Sequence, residues 1–324
     1  MGKRNVITIS LLAGLYLIIQ LLVSRGVLLP YDLQILGLVC VNIMLAVSLN
    51  LINGFTGQFS IGHAGFFGIG AYASAYLTVI HDIPFLLALV LGALFSALIG
   101  ICIGLPTLRL KGDYLAIATL GFGEIIRVVI LNMPAVGGAR GFSGISRETT
   151  FGTAYLFMIV TVVIIKNFIR SKHGRACIAI REDELASEAL GINTTLYKVA
   201  AFTIGALFAG LAGGLYSHFM GYINPAANQI GFIKSIDILI MVVLGGLGSI
   251  TGSVGAAILL TLIPEFLRGL AEYRMIVYPI ILILIMLFRP TGILGGKELS
   301  WDALVSFYQR ITGKKQCQGV STDA

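Results

Sequence analysis

Charge is what this 324-residue chain has least of. Asp, Glu, Lys and Arg together make up 11% of it, where a soluble domain carries roughly 25%. A soluble globule cannot cover itself with so little polar surface, so a cytosolic enzyme is excluded, and so is a disordered chain. Recognisable catalytic and metal chemistry is missing as well. Cys40, Cys102, Cys177 and Cys317 form no pair at metal-ligand spacing and no disulfide framework. His63, His81, His173 and His218 show no ligand spacing either, which argues against an intramembrane metalloprotease, and no metal site is expected. A phosphate-binding loop needs Gly-x-x-x-x-Gly-Lys-Ser/Thr. Gly296-Lys297 is followed by Glu298 and has Thr291 where the first glycine belongs, while Gly313-Lys314 is followed by Lys315. No Gly-x-Gly-x-x-Gly occurs. The chain is therefore expected to carry no cofactor and no catalytic residue of its own.

What is present is apolar. Hydrophobic residues reach 57%, and mean hydropathy is +0.95. The chain also holds 40 Gly and 8 Pro, residues that let membrane helices approach closely or break. One span needs about 20 apolar residues. Residues 5–24, 84–108, 114–133, 151–165, 199–220, 236–247, 253–266 and 275–288 each read as one span. Residues 33–81 are uncharged throughout and read as two, with a turn near Asn53-Gly54. The fold class is an all-α integral membrane protein with about ten transmembrane helices and glycine-interrupted segments. Residues 1–299 form one polytopic domain, and residues 300–324 form a tail in which Trp301, Phe307 and Tyr308 suit the lipid interface. The start, Met1-Gly-Lys-Arg4 before an apolar run, resembles a signal peptide but lacks a small-residue cleavage site, so a retained first span is expected.

The net charge of +7 and pI of about 9.3 belong to topology, and no nucleic-acid partner is implied. With the N-terminus cytoplasmic, most of the 22 Lys and Arg residues fall on the inside, among them Lys3, Arg4, Lys166, Arg170, Lys172, Arg175, Arg181 and Lys198. The positive-inside rule then places both termini in the cytoplasm.

Glycine clusters twice. Gly54, Gly57, Gly62, Gly65, Gly68 and Gly70 make one stretch, and Gly245, Gly246, Gly248, Gly252 and Gly255 the other. Non-helical backbone at membrane depth survives only where protein buries it or water reaches it, and paired broken segments point to a transport path. For Gly62 to Gly70, path lining and close helix packing both stay open. For Ala206, Gly210 and Gly214, the small-xxx-small spacing favours packing. Polar residues Gln58, Ser60, Tyr72, Thr119 and Asn224 are candidates for the path. Glu124 and Arg127 stand i, i+3 within a span and are expected to pair as a structural couple.

Residues 171–198 form the longest polar stretch before the tail, on the expected cytoplasmic side. Residues 182–190 read as a short helix. Glu182, Asp183 and Glu184 lie at its N-terminal end, where the helix dipole favours negative charge, and Gly191 suits the C′ position. Leu185, Ala186, Ala189 and Leu190 make one small apolar face. An interfacial helix would carry basic residues and larger apolar ones. This acidic helix with alanine contacts suits a groove on a soluble partner.

Three motifs, in order, resemble the LivM-type permease subunits of branched-chain amino-acid ABC importers. They are residues 53–72, 109–127 and 191–202, joined by the loop Gly137-Gly-Ala-Arg-Gly-Phe-Ser-Gly-Ile145, in which Val136 replaces the family's usual Thr. The resemblance spans roughly residues 35–295. It implies an all-helical permease in a bacterial inner (plasma) membrane, paired with a homologous LivH-type permease. It also implies two cytoplasmic ATPase subunits, which would hold the ATP and Mg, and an extracytoplasmic amino-acid-binding protein. Residues 181–191 match the segment such permeases insert into the ATPase: Arg181, Glu182, Asp183, Glu184, Leu185, Ala186, Ala189, Leu190 and Gly191. The expected function is inward transport of branched-chain, apolar amino acids by alternating access. The alternatives are an ion-coupled secondary carrier, for which Glu124 is thin support, or a related permease for urea, short amides or sugars.

Overall fold

The structure is a computed structural model that describes residues 29–267, apart from 109 and 111, together with a few isolated positions nearer the ends. The spans expected over 5–24 and 275–288 and the 300–324 tail lie largely or wholly outside the described residues. Helix α1 covers Pro30–Asn50. Proline at its first position forfeits no helical hydrogen bond, and Asp32 accepts the Leu29 N–H at 2.9 Å. The helix widens into a π turn at Leu51–Phe55 and then breaks over residues 56–62. Next come α2 (His63–Ile80), α3 (Phe85–Thr107), α4 (Asp113–Leu131) and α5 (Phe151–Arg170). Two shorter, more polar helices follow, α6 (Lys172–Glu182) and α7 (Glu184–Ala189). The described chain then continues through α8 (Thr194–Met220), α9 (Phe232–Gly245) and α10 (Ile250–Phe266). Strands β1 (Phe142–Ser143) and β2 (Tyr222–Ile223) pair antiparallel, with Phe142 opposite Ile223. Among the described residues, five segments are long and apolar enough to cross a membrane.

Helix α1 is the buried axis. Met44, Leu45 and Leu49 are fully buried, whereas α3 and α4 turn Leu86, Leu94, Ile117 and Ile125 outward. Outward leucine and isoleucine cost nothing in hydrocarbon, and a membrane bundle needs no polar exterior. Helices α2, α3 and α8 meet through small residues. A Cβ at Gly70 would strike the Gly210 backbone, one at Gly213 the Phe67 carbonyl, and one at Gly100 the Ala206 side chain. Ser96 Oγ, bonded to the carbonyls of Phe66 (3.0 Å) and Ala206 (2.9 Å), ties all three helices together. Gly70 and the Ala206/Gly210/Gly214 row thus serve close packing.

Several expected boundaries shift: α5 runs on to Arg170, past Ile165, and α8 starts at Thr194, before Val199. Helix α9 begins at Phe232, before Ile236, and so takes Lys234 into the helix. Residues 182–190 are not one helix. Asp183 is extended (φ −154°, ψ 111°), so Glu182 closes α6 and Asp183 caps α7.

Candidate functional site

The break after α1 is held by side-chain amides. Asn50 lies at the C-terminal end of α1 and satisfies its whole side chain across to the second glycine cluster. It donates to Ser249 O and Ser253 Oγ, both at 2.9 Å, and accepts from Gly248 N at 2.9 Å. Asn53 clamps Ser60 from both sides, accepting from its N–H and donating to its carbonyl, each at 3.1 Å. Thr119 Oγ1 accepts from Ile61 N at 3.1 Å, and a Cβ at Gly62 would strike the Thr119 carbonyl. The extended stretch therefore lies against the body of α4, well past that helix's first turn. Its residues alternate, with Thr56, Gln58, Ser60 and Gly62 buried and Gly57 and Phe59 exposed.

Within this stretch the hydrogen bonding is incomplete. Both polar atoms of the Gln58 side chain, Ser60 Oγ and His63 Nδ1 are buried without a protein partner. His63 bonds only through Nε2, to Ser48 Oγ at 2.8 Å. A buried, unpartnered polar group costs about 1–3 kcal/mol. Three such residues fall within 58–63, against the rule that buried polar groups are hydrogen-bonded. His218 makes the contrast, because both its ring nitrogens find partners in Thr78, Ser217 and Gly214.

The candidate path residues separate into two groups. Gln58, Ser60 and Thr119 cluster at the glycine break. Tyr72 and Asn224 belong to the opposite end. Tyr72 points its hydroxyl toward Ile223 O at 3.5 Å and borders an apolar groove of about 900 Å³ between α2, α3 and α4. Asn224 is spent on its own loop, accepting from Ala226 N at 2.6 Å.

Near that second end, Arg127 Nε meets Glu124 Oε2 at 2.6 Å, with both side chains half-buried. The pair also reaches outward. Glu124 Oε1 accepts the Phe232 N–H at 2.8 Å, and Arg127 donates to Pro225 O at 3.4 Å. A carboxylate from α4 thereby sits on the N-terminus of α9, where the helix dipole favours it. Tyr222 donates to Arg140 O at 2.9 Å, which fastens the Gly137–Ile145 motif to the loop after α8.

The polar stretch 171–198 is pinned to the bundle on one side and open on the other. Ser171 caps α6, and Gly174, Cys177 and Ile180 bury its inner face. Burial raises the Cys177 thiol above its ordinary value, so it stays protonated and structural. Arg181 reaches from the end of α6 to Gly54 O at 2.7 Å, inside the π turn, and its guanidinium lies beside Gly248. Asp183 accepts from Ala186 N at 3.0 Å. Helix α7 then closes on a left-handed Gly191 (φ +83°), with Gly191 N donating to Glu188 O and Ile192 N to Ser187 O. Glu184 pairs with Lys198 at 2.6 Å, and Glu188 accepts from Thr194 at 2.7 Å, which tie α7 to the first turn of α8. Leu185, Ala186, Ala189 and Leu190 all face outward; Leu190 is 83% exposed and Leu185 72%.

Asn50, a polar residue inside an apolar run, has to face protein or water, but nothing local names its partners. Asn53 and Lys234 are the members that sequence reasoning missed. Lys234 was assigned to a loop. It donates to Asn42 Oδ1 at 3.1 Å, and Asn42 in turn donates to Thr261 Oγ1 at 2.9 Å, which links α9, α1 and α10. No periodicity announces a bond between helices so far apart in sequence.

Two glycine breaks, cross-linked through Asn50 and joined by Arg181 to the segment that carries the exposed helix α7, fit the organisation of a membrane transport permease. The chain belongs to the family of branched-chain amino acid transport system permease components, whose model matches residues 32–286. It is 36% identical over 308 residues to the high-affinity branched-chain amino acid permease LivM of Salmonella typhimurium, covering 84% of this chain and 71% of that protein. The Escherichia coli LivM matches equally, at 36% over 308 residues and the same coverage. Escherichia coli LivH is 34% identical over 267 residues, covering 80% of this chain and 82% of LivH. No solved structure matches the chain.

Proposed function

We propose that this chain is the LivM-type permease subunit of an ATP-driven importer that moves branched-chain, apolar amino acids inward across the bacterial inner membrane. It works beside a LivH-type permease, two cytoplasmic ATPase subunits and an extracytoplasmic binding protein. Family membership and the identity to LivM support the transport class and substrate. One observation carries the mechanism: α7 exposes a small apolar face while Arg181, just before it, grips Gly54 in the buried glycine break. A groove on the ATPase that takes Leu185, Ala186, Ala189 and Leu190 would move a segment already tied to the path. ATP and Mg belong to that partner, and this chain contributes binding, positioning and leverage. About ten spans with both termini cytoplasmic accommodate this orientation.

Ala186→Arg and Ala189→Arg place a long charge on the exposed face without touching the buried one. Both variants are expected to insert in the membrane at normal level, to lose amino-acid uptake, and to lose the ATPase in a mild-detergent pull-down. Normal uptake in both would overturn the coupling assignment. An ion-coupled carrier is the weaker reading, since Glu124 is already engaged by Arg127 and by the Phe232 N–H.

A further inference from the structure

A second cavity, of about 240 Å³, opens where the glycine break, the α3–α4 turn and the α6–α7 segment meet. It lies somewhat below the roughly 300–1,000 Å³ of drug-sized ligand sites, a size suited to one small metabolite. Its chemistry is mixed in an informative way. Arg181 and Lys198 bring positive charge, Glu184 brings negative charge, and Gln58 adds an amide with donor and acceptor both unspent. Leu108, Leu115 and Ile180 make an apolar wall. Gln58 is 3% exposed, so its two free polar atoms are held in place by packing rather than by water at a surface.

We infer that this cavity is a binding site for a small zwitterion with an apolar side chain, at the inner end of the path. The inference rests on the proposed transport of apolar amino acids. An α-carboxylate finds Arg181 and Lys198. An α-ammonium finds Glu184, and an aliphatic side chain finds the leucine and isoleucine wall. The Gln58 amide, whose polar atoms lie buried beside the cavity, is the neutral group that would turn toward the ligand. The charges occupy one another in the meantime. Lys198 Nζ and Glu184 Oε1 lie 2.6 Å apart with side chains 11% and 26% exposed, and Arg181 Nε stands 3.7 Å from Glu182 Oε1. An incoming zwitterion offers both partners of such a pair a replacement of matching sign, so no buried charge is stranded on exchange. The walls also matter. Ile180, Arg181 and Glu184 belong to the segment proposed to take the ATPase stroke, so a molecule in the cavity touches the glycine break and the coupling segment at once.

The test is equilibrium binding of labelled L-leucine to the purified full chain in lipid nanodiscs, with three competitors: unlabelled leucine, 4-methylpentanoate, which lacks the ammonium, and 3-methylbutylamine, which lacks the carboxylate. Leucine is expected to compete best, with each analogue weaker by about tenfold or more. Gln58→Leu keeps a side chain of similar size and removes the unpartnered amide. It should keep or raise the melting temperature and lower leucine affinity by about tenfold or more. Lys198→Met, a second variant outside the buried break, should lower it too. Leucine binding that is undetectable, unaffected by both variants, or matched by either analogue would overturn the inference. Uptake in cells that carry the chain with its partner subunits separates the two readings. If wild-type uptake is present but binding ignores both variants, only the cavity assignment falls. If uptake is absent with all partners expressed, the transport reading falls first.

Discussion

At the scale of single residues, the protein spends glycine on contact and asparagine on cross-linking. Gly70, Gly210 and Gly213 bring backbones together where any side chain would collide. Gly70→Val is therefore expected to destabilise the chain by about 1–3 kcal/mol, as overpacking does, and to lower its melting temperature in detergent. A conformationally free glycine such as Gly191 does different work. Nothing lies within 4 Å of a Cβ there, and its left-handed φ alone demands the residue. The Glu124–Arg127 couple also belongs at this scale. Glu124→Gln keeps an acceptor for the Phe232 N–H and loses the charge. With both side chains half-exposed, the stability change is expected to be about 1 kcal/mol or less. Uptake by an ATP-driven permease should be partly retained, whereas a proton-coupled carrier should stop; a leucine-uptake assay with and without an uncoupler reads the difference.

At the scale of elements, α7 is the least self-sufficient piece. Six residues cannot hold a helix in water, because nucleation is costly and few hydrogen bonds follow it. Three devices substitute for length: the Asp183 cap, the Gly191 stop and the side-chain ties from Glu184 and Glu188 to α8. Asp183→Ala should cost about 1 kcal/mol, and on so short a helix that should show as faster amide hydrogen exchange over 184–190 with the rest of the chain unchanged. The boundaries of α3 and α4 and the end of α8 were legible in the sequence to within about two residues, because proline, glycine and charge bracket the apolar runs. The split between α6 and α7 was not. Glu182 and Asp183 carry helix-start charge equally well, and the choice between them was made by Asp183, whose extended backbone lets its carboxylate cap Ala186 N.

At the scale of the whole molecule, the two glycine breaks, far apart in sequence, become one unit. Asn50 bonds to the second break, Asn53 braces the first, and Arg181 lies against both. The α6–α7 segment thus touches both breaks directly, with no long helix between. Lys234, Asn42 and Thr261 make a second polar tie across the bundle. Interhelical bonds of this kind replace the hydrophobic drive that hydrocarbon cannot supply.

The sequence by itself determined the class. Too little charge and too much hydrophobicity left only a membrane bundle, the glycine clusters marked where it breaks, and the acidic, alanine-faced segment stood out as the one proposed to meet a partner. These signals are compositional and local, so they can be read along a line. Only the tertiary structure decided which polar residues work together. It set Gln58, Ser60 and Thr119 at one break, sent Tyr72 and Asn224 to the other end, and joined Arg181 to Gly54 across 127 residues. Those choices depend on which helices pack side by side, and a chain in which nearly every helix is apolar all round carries little periodicity to announce it.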